Sequence, residues 1–255
     1  MYRILSTSKS GMNANQTKLD TISNNLANSS TVGYKSVEVG FEDLLTESLN
    51  RKGYRTNNDA VMGTGVKTTD WFRNNTQGNL QVTGQSTDFA LDGPGYFRVI
   101  LADGSTAYTR DGSFKVDSLG RLVDSNGNKV ELHYVDGYSE ENSPLRASTL
   151  TIDDNGNIYS KENGRLTKIA ELPVYTAIGD SAFTSISDNL FVPTEGVQLQ
   201  LATDTNIYQG YLEMSNVDMT TEFTDLIITQ RAFQLSSKGV TTADEMWGMI
   251  NNMRR

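Results

Sequence analysis

Two apolar stripes with a seven-residue repeat, one at each end of the chain, constrain the fold more than any other feature. Leu5, Met12, Leu19 and Leu26 recur every seven residues, and Ile22 sits three after Leu19, with Ser8 and Asn15 at its earlier positions. At the other end Met219, Leu226, Phe233, Val240 and Trp247 are again seven apart, widened by Phe223, Ala243 and Ile250. A heptad is the repeat of helices that pack in rows. The first stripe predicts a helix over about residues 3 to 28, roughly 40 Å long at about 1.5 Å per residue. Asn28, Ser29, Ser30 and Gly33 supply its stop. The second predicts a helix over about 218 to 252, capped by Asp218 or Ser215, with Glu222 suited to the first turn. Gly239 is a soft spot inside it, costing about 1 kcal/mol against Ala. Each stripe is narrow, so the helices either pack on each other or on the rest of the chain, or seek neighbouring copies.

The middle of the chain carries the other period. "FALDGPGYF" (89–97), "FKVDSLGRL" (114–122) and "LTIDDNGNI" (150–158) share alternating apolar residues, then Asp, then Gly three later. "VDSNGNKVEL" (123–132) has similar turn chemistry. Asp accepts backbone N–H bonds at the turn and Gly takes the left-handed conformation, so each phrase predicts strand, tight turn, strand. "AYTRDGSF", "KIAELPVYTA" and "NLFVPTE" read as further strands. Between them, "FEDLLTESL" (41–49) has helical spacing and predicts a short helix or an irregular patch. The polar, Gly-containing run from 50 to 66 reads as an extended connector.

Composition removes several classes of function. With 31 acids against 22 bases in 255 residues, the net charge is −9. Such a chain repels phosphate backbones, so no nucleic-acid partner is expected. It holds no cysteine and one histidine, His133, which removes disulfides, thiolate catalysis and Cys- or His-rich metal sites. No apolar run approaches the roughly 20 residues of a membrane helix, and "MYRILSTSKSGMN" lacks the apolar core of a cleavable signal. "DSNGN" (124–128) and "DDNGN" (153–157) resemble the start of a calcium loop. Position 12 of that loop would be Val135 or Gly164 rather than Glu, so they read as hairpin turns. "GTG" (63–65) and "GPG" (93–95) do not continue into a phosphate cradle. Trp71 with Phe72, and Tyr96 with Phe97, lie in strand-like text, where core packing is the default. No residue is singled out as catalytic, metal-ligating or cofactor-binding, no cofactor or small-molecule substrate is expected, and the chain does not read as an enzyme.

The segments that carry these readings also resemble a family. "SGMNANQTKLDTISNNLANSSTVGYK" is similar to the N-terminal signature of the bacterial flagellar rod and hook proteins. "TQGNLQVTGQSTDFALDGPGYF" and "AYTRDGSFKVDSLGRLV" look like their central motifs, and "YQGYLEMSNVDMTTEFTDLIITQRAFQLSSKGVTTADEM" like their C-terminal signature. The resemblance is weak from about 133 to 200. Within the family, the length, "GTGV" ahead of "TQGNL" and "TRDGSF" are most similar to the distal rod, with proximal rod proteins next and hook proteins after them.

The resemblance implies an α+β fold in which the N- and C-terminal helices pair as an inner coiled-coil domain (1–30 and 216–255). A connector (31–74) and an outer antiparallel β-rich domain (75–215) complete it. It implies a structural subunit of the flagellar basal body that polymerises helically into a hollow shaft transmitting torque. Its partners would be copies of itself, the other rod proteins, the hook protein and the flagellar export apparatus, with the bushing ring proteins as further candidates. Assembly would fall to Leu5, Met12, Leu19, Ile22, Leu26, Met219, Leu226, Phe233, Val240 and Trp247. Asn28, Gly33, Tyr34, Asn216 and Asp218 would turn the chain at the hinges. From a different class, a monomeric β-rich extracellular binding module would account for the hairpins and the acidity, but not for two terminal heptad helices.

Overall fold

A computed structural model of the chain describes residues 2–44, 46–48, 61–140, 142–162, 165–177, 179, 182–187 and 189–253. The chain divides into two compact units, one of residues 1–27, 37–72 and 218–255, the other of 28–36 and 73–217. Part of the polar run after residue 48 falls outside the described residues.

The first unit is built on two helices, α1 (Tyr2–Ala27) and α2 (Met219–Met253). They fall where the heptads place them, and Gly239 does not interrupt α2. Asp218 caps α2: its carboxylate accepts Thr220 N–H at 3.0 Å and the Thr221 hydroxyl at 2.7 Å, and its carbonyl accepts Glu222 N–H. These bonds hold the exposed Asp218 carboxyl below the usual carboxylate range, the Thr221 bond first, as an N-cap does. Among the described residues no helix is long and apolar enough to cross a membrane.

Strand Val37–Asp43 pairs with Val66–Arg73, and Thr46–Ser48 with Val61–Gly63. The region read from its spacing as a short helix or irregular patch is therefore strand at 41–43 and 46–48. Phe41 and Leu44 sit at helical spacing, yet cross-strand partners on residues 65–69 take up their backbone, with Leu44 N–H bonded to Gly65 O and Gly40 N–H to Thr69 Oγ1. Pairing across the ribbon outweighs a four-residue pattern. Trp71 (67% exposed) and Phe72 (49%) are not core residues as their strand setting suggested, because a two-stranded ribbon covers neither face fully.

The second unit is antiparallel β throughout its described pairings. Its largest sheet runs Phe183–Ser187, Leu190–Pro193, Thr106–Thr109, Tyr96–Ile100, Lys129–Val130, Leu122–Val123, Lys115–Val116, and Val174–Ala177 and Leu199–Leu201 branch from it. A four-stranded sheet orders His133–Tyr134, Arg165–Glu171, Asn157–Glu162 and Leu150–Ile152. Phe89, Phe97, Val99, Phe114, Leu122, Ile158 and Ile207 form the heart of one core, and Tyr96, Tyr108, Tyr175 and Phe191 a second, aromatic one.

Three of the four predicted hairpins are present. In each, Gly N–H bonds back to the Asp carbonyl three residues earlier, at Asp117–Gly120, Asp124–Gly127 and Asp153–Gly156. "FALDGPGYF" supplies two strands that do not pair with each other. Phe89–Asp92 pairs with Asn206–Gln209, and Tyr96–Ile100 with Thr106–Thr109. Gly93 and Gly95 take φ of 126° and 144°, and a methyl on Gly95 would lie 2.5 Å from Val174 Cγ1. These glycines carry the chain tightly from one sheet to another instead of reversing it. In the Asp124 loop the carboxylate accepts Asn126 N–H, Asn128 N–H and Asn128 Nδ2, so its oxygens are used by the turn itself.

Candidate assembly site

The helix pair of the first unit shows which residues meet. Asn25 Nδ2 donates to Glu222 Oε1 at 2.8 Å, and Lys18 Nζ lies 3.2 Å from Asp225 Oδ2. A methyl on Gly11 would lie 3.3 Å from Ser236 Oγ, and one on Gly239 2.6 Å from Ser8 Oγ. As one helix ascends the other descends, so α1 and α2 run antiparallel. Apart from Ile22, the seam residues at the heptad spacing of these contacts are small or polar: Ser8, Gly11, Asn15, Lys18, Ile22 and Asn25 on α1, and Glu222, Asp225, Thr229, Ala232, Ser236, Gly239 and Ala243 on α2. Ala14, Thr21, Ile22 and Asn25, with Thr229 and Ala243, are the buried residues of the pair. Gly239, a propensity fault in the sequence, leaves the space that the Ser8 side chain of the facing helix takes.

Of the sequence-predicted assembly residues, only Ile22 is in this seam. Met12, Leu19 and Leu26 each follow a seam position by one residue, and so do Leu226, Phe233 and Val240; Leu5 and Trp247 continue the two heptads beyond the seam. In an antiparallel pair that offset puts both stripes on the same flank, since reversing one helix also reverses the sense of its turn. Leu5, Met12, Leu19, Leu26, Leu226, Phe233 and Val240 are half-buried there, while Met219 (49%) and Trp247 (39%) are exposed. Ile227, Ile228 and Leu235, exposed by 59%, 60% and 73%, lie on other faces of α2. Single exposed apolar residues are ordinary on a folded surface.

Of the predicted hinge residues, Asp218 caps α2 in the first unit, and Asn28, Gly33, Tyr34 and Asn216 lie in the second. Asn28 closes a turn with Thr31, whose N–H and hydroxyl it accepts. Gly33 has φ of 67°, its N–H bonds to Glu213 O at 2.7 Å, and a methyl there would lie 2.7 Å from the Arg110 carbonyl carbon. Tyr34 is buried. The Asn216 side chain accepts Ser36 N–H at 2.7 Å and donates to Asn74 O and Thr76 O.

Beneath them lies a cluster that no periodicity signals. Lys35 Nζ is 2.6 Å from Glu213 Oε1, Arg110 Nη1 is 2.9 Å from Glu213 Oε2, and the three side chains are 1%, 4% and 1% exposed. Lys35 also donates to Thr76 O, Arg110 to Gly93 O, and Glu213 accepts Gly78 N–H. Burial pushes the Lys35 amine below its ordinary range against the pull of Glu213, and Arg110 pushes the same way as burial. The lone signals in the sequence were a charged residue after "GY" and an acid inside the strand "YLE". Among the described residues no group of acids and histidines is arranged to hold a metal. His133 lies half-exposed, 3.8 Å from Glu131.

Three family models match the chain in order: flagella basal body rod protein over residues 5–35, flagellar hook protein FlgE/F/G D1 domain over 90–160, and flagellar basal body rod FlgEFG protein C-terminal over 208–253. Over its full length the chain is 35% identical to the flagellar basal-body rod protein FlgG of Borreliella burgdorferi, with 100% of both chains covered. The chain belongs to the flagellar basal-body rod family. The FlgG proteins of Agrobacterium fabrum (36% identical, 98% of each chain) and Bacillus subtilis (35%, 100% of each) agree. Membership makes this a structural protein of the flagellar basal body, associated with rod and hook components, in a family of building blocks rather than enzymes. The first and last family models cover most of α1 and α2.

Proposed function

We propose that the chain is a subunit of the distal rod, polymerising helically through its terminal helices into a hollow shaft that carries torque from motor to hook. The observation that supports this reading is the division of labour on the helix pair. The seam within one chain uses small and polar residues, leaving the flank of Leu5, Met12, Leu19, Leu26, Met219, Leu226, Phe233, Val240 and Trp247 for other copies. A repeated contact of this kind between unlike surfaces does not close, so it builds a filament. The partners are copies of the chain, the neighbouring rod and hook proteins, the export apparatus through which the chain leaves the cytoplasm, and the bushing ring. Asn28, Gly33, Tyr34, Asn216 and Asp218 turn the chain between helices and β body.

Replacing Leu226 or Phe233 by Asp tests the reading. A carboxylate in a packed helix array costs several kcal/mol per subunit. The variant is expected to keep a folded β unit by near-ultraviolet circular dichroism and to form no rods in basal bodies imaged by electron microscopy. Normal rods from either variant would overturn the assembly role of this flank.

A further inference from the structure

We propose that Asn25, acting through Glu222, selects the register in which α1 and α2 pair. The rest of the interface does not settle that register by itself. The apolar flank repeats every seven residues, so sliding one helix by a heptad replaces Phe233 with Leu226 or Val240 and leaves an apolar row facing an apolar row. The seam is similarly tolerant, because a slide of one heptad toward the end of α2 would bring Gly11 from Ser236 to Ala243 and Ser8 from Gly239 to Met246. Ser236 and Ala243 are small residues of similar bulk, and the unbranched Met246 side chain can bend aside.

Asn25 is different in kind. It is 2% exposed, and its amide is fully committed: Oδ1 accepts Val37 N–H at 2.9 Å, and Nδ2 donates to Val37 O at 2.9 Å and to Glu222 Oε1 at 2.8 Å. The two bonds to the Val37 backbone orient the amide, so its remaining hydrogen points at one place on α2. In the observed register that place holds a carboxylate. One heptad along, it would hold Thr229, and Glu222 would lose its donor. A single buried asparagine at a helix seam is the best-attested device for fixing register, at a cost in stability. The Lys18–Asp225 pair reinforces the choice, but with side chains 29% and 42% exposed it is screened by solvent.

The chain has no cysteine, so introduced pairs report register cleanly. A methyl on Gly239 lies 3.5 Å from Ser8 Cβ, within the span a disulfide accepts. Ser8→Cys with Gly239→Cys reads the observed register, and Ser8→Cys with Met246→Cys the register one heptad away. Both are oxidised in the full-length chain in ammonium sulfate below its precipitation point, which favours burial, with helix content followed by far-ultraviolet circular dichroism. Intramolecular cross-links are scored on non-reducing gels. With Asn25 and Glu222 present, the 8–239 link is expected to exceed the 8–246 link by tenfold or more. Asn25→Leu with Glu222→Leu, an apolar pair that keeps the helices associated, is expected to reduce that preference at least tenfold. If the double variant keeps its helix content and its preference changes by less than threefold, Asn25 is not the selector. Asn25→Asp, which sets a second carboxylate against Glu222, serves as an independent variant and should lower the yield of the 8–239 link. An unchanged yield would also overturn the proposal. The inference rests on the helix pair of the assembly reading, but the links form within one chain. Absence of polymer would therefore count against that reading alone.

Discussion

Burying Lys35, Arg110 and Glu213 together takes three charges out of water, and only mutual pairing and backbone partners offset the desolvation. Removing the acid leaves two cations facing each other in the interior. Glu213→Leu should therefore destabilise the β unit by about 3–5 kcal/mol, read as the loss of its cooperative thermal transition in near-ultraviolet circular dichroism. Lys35→Met leaves Arg110 as a partner for Glu213 and should cost less. Gly33 is the second point of strain. Its left-handed φ of 67° and the 2.7 Å approach to the Arg110 backbone leave no room for a side chain, so Gly33→Ala should cost about 2 kcal/mol or more in the same melt. Gly33 could be read from the sequence, because its role is conformational and local. Lys35 and Glu213 could not, because 178 residues separate them and an ion pair leaves no period in a chain.

At the scale of elements, the helices were legible nearly to the residue and their mode of pairing was not. Heptads announce apolar stripes, and the sequence assigns them to rows of helices without saying which row belongs to which partner. The seam within the chain is written in Ser8, Gly11, Ser236 and Gly239, residues that carry no hydropathy signal and act by letting backbones approach. Gly239→Leu should therefore separate α1 from α2 despite improving helix propensity by about 1 kcal/mol, visible as loss of the 222 nm signal with the β unit intact. The hairpins were legible where Asp and Gly close a two-strand turn, and failed at Gly93 and Gly95, where the same residues carry the chain between sheets.

Acidity at the start of α2 adds a pH dependence to the pair. Burial raises the Glu222 carboxyl above its ordinary 4.5, Asp225 and Glu38 add to the rise, and the Asn25 bond and Lys18 oppose it. The folded chain then takes up this proton at a higher pH than the unfolded one. Its stability contribution rises as pH falls through the folded value and is complete below the unfolded one near 4.5. Helix content of the full-length chain should increase between neutral pH and about pH 5, and Glu222→Gln should remove the change. A fall in helix content over that range in the unaltered chain would contradict the assignment.

For the whole molecule, the two units differ in what stabilises them. The β unit closes on a dry core of Phe89, Phe97, Phe114 and their neighbours and on a buried ion cluster. The helix pair has a seam of mostly small side chains and an apolar flank that is only half covered. Isolated helices of this length are marginal in water, and most of their stability comes from packing. On the assembly reading, the flank receives that packing only from other subunits, so α1 and α2 should be partly ordered at most in a dilute monomer and become ordered in the polymer. Limited proteolysis of dilute full-length chain should then remove both termini quickly and leave a resistant fragment near 75–210, and the same protease should spare the termini in assembled rods. A dilute monomer whose circular dichroism already accounts for about 60 helical residues, or whose termini resist cleavage as long as its β unit does, would mean that the pair is self-sufficient. Coupling between folding and assembly would then have no basis in the half-covered flank.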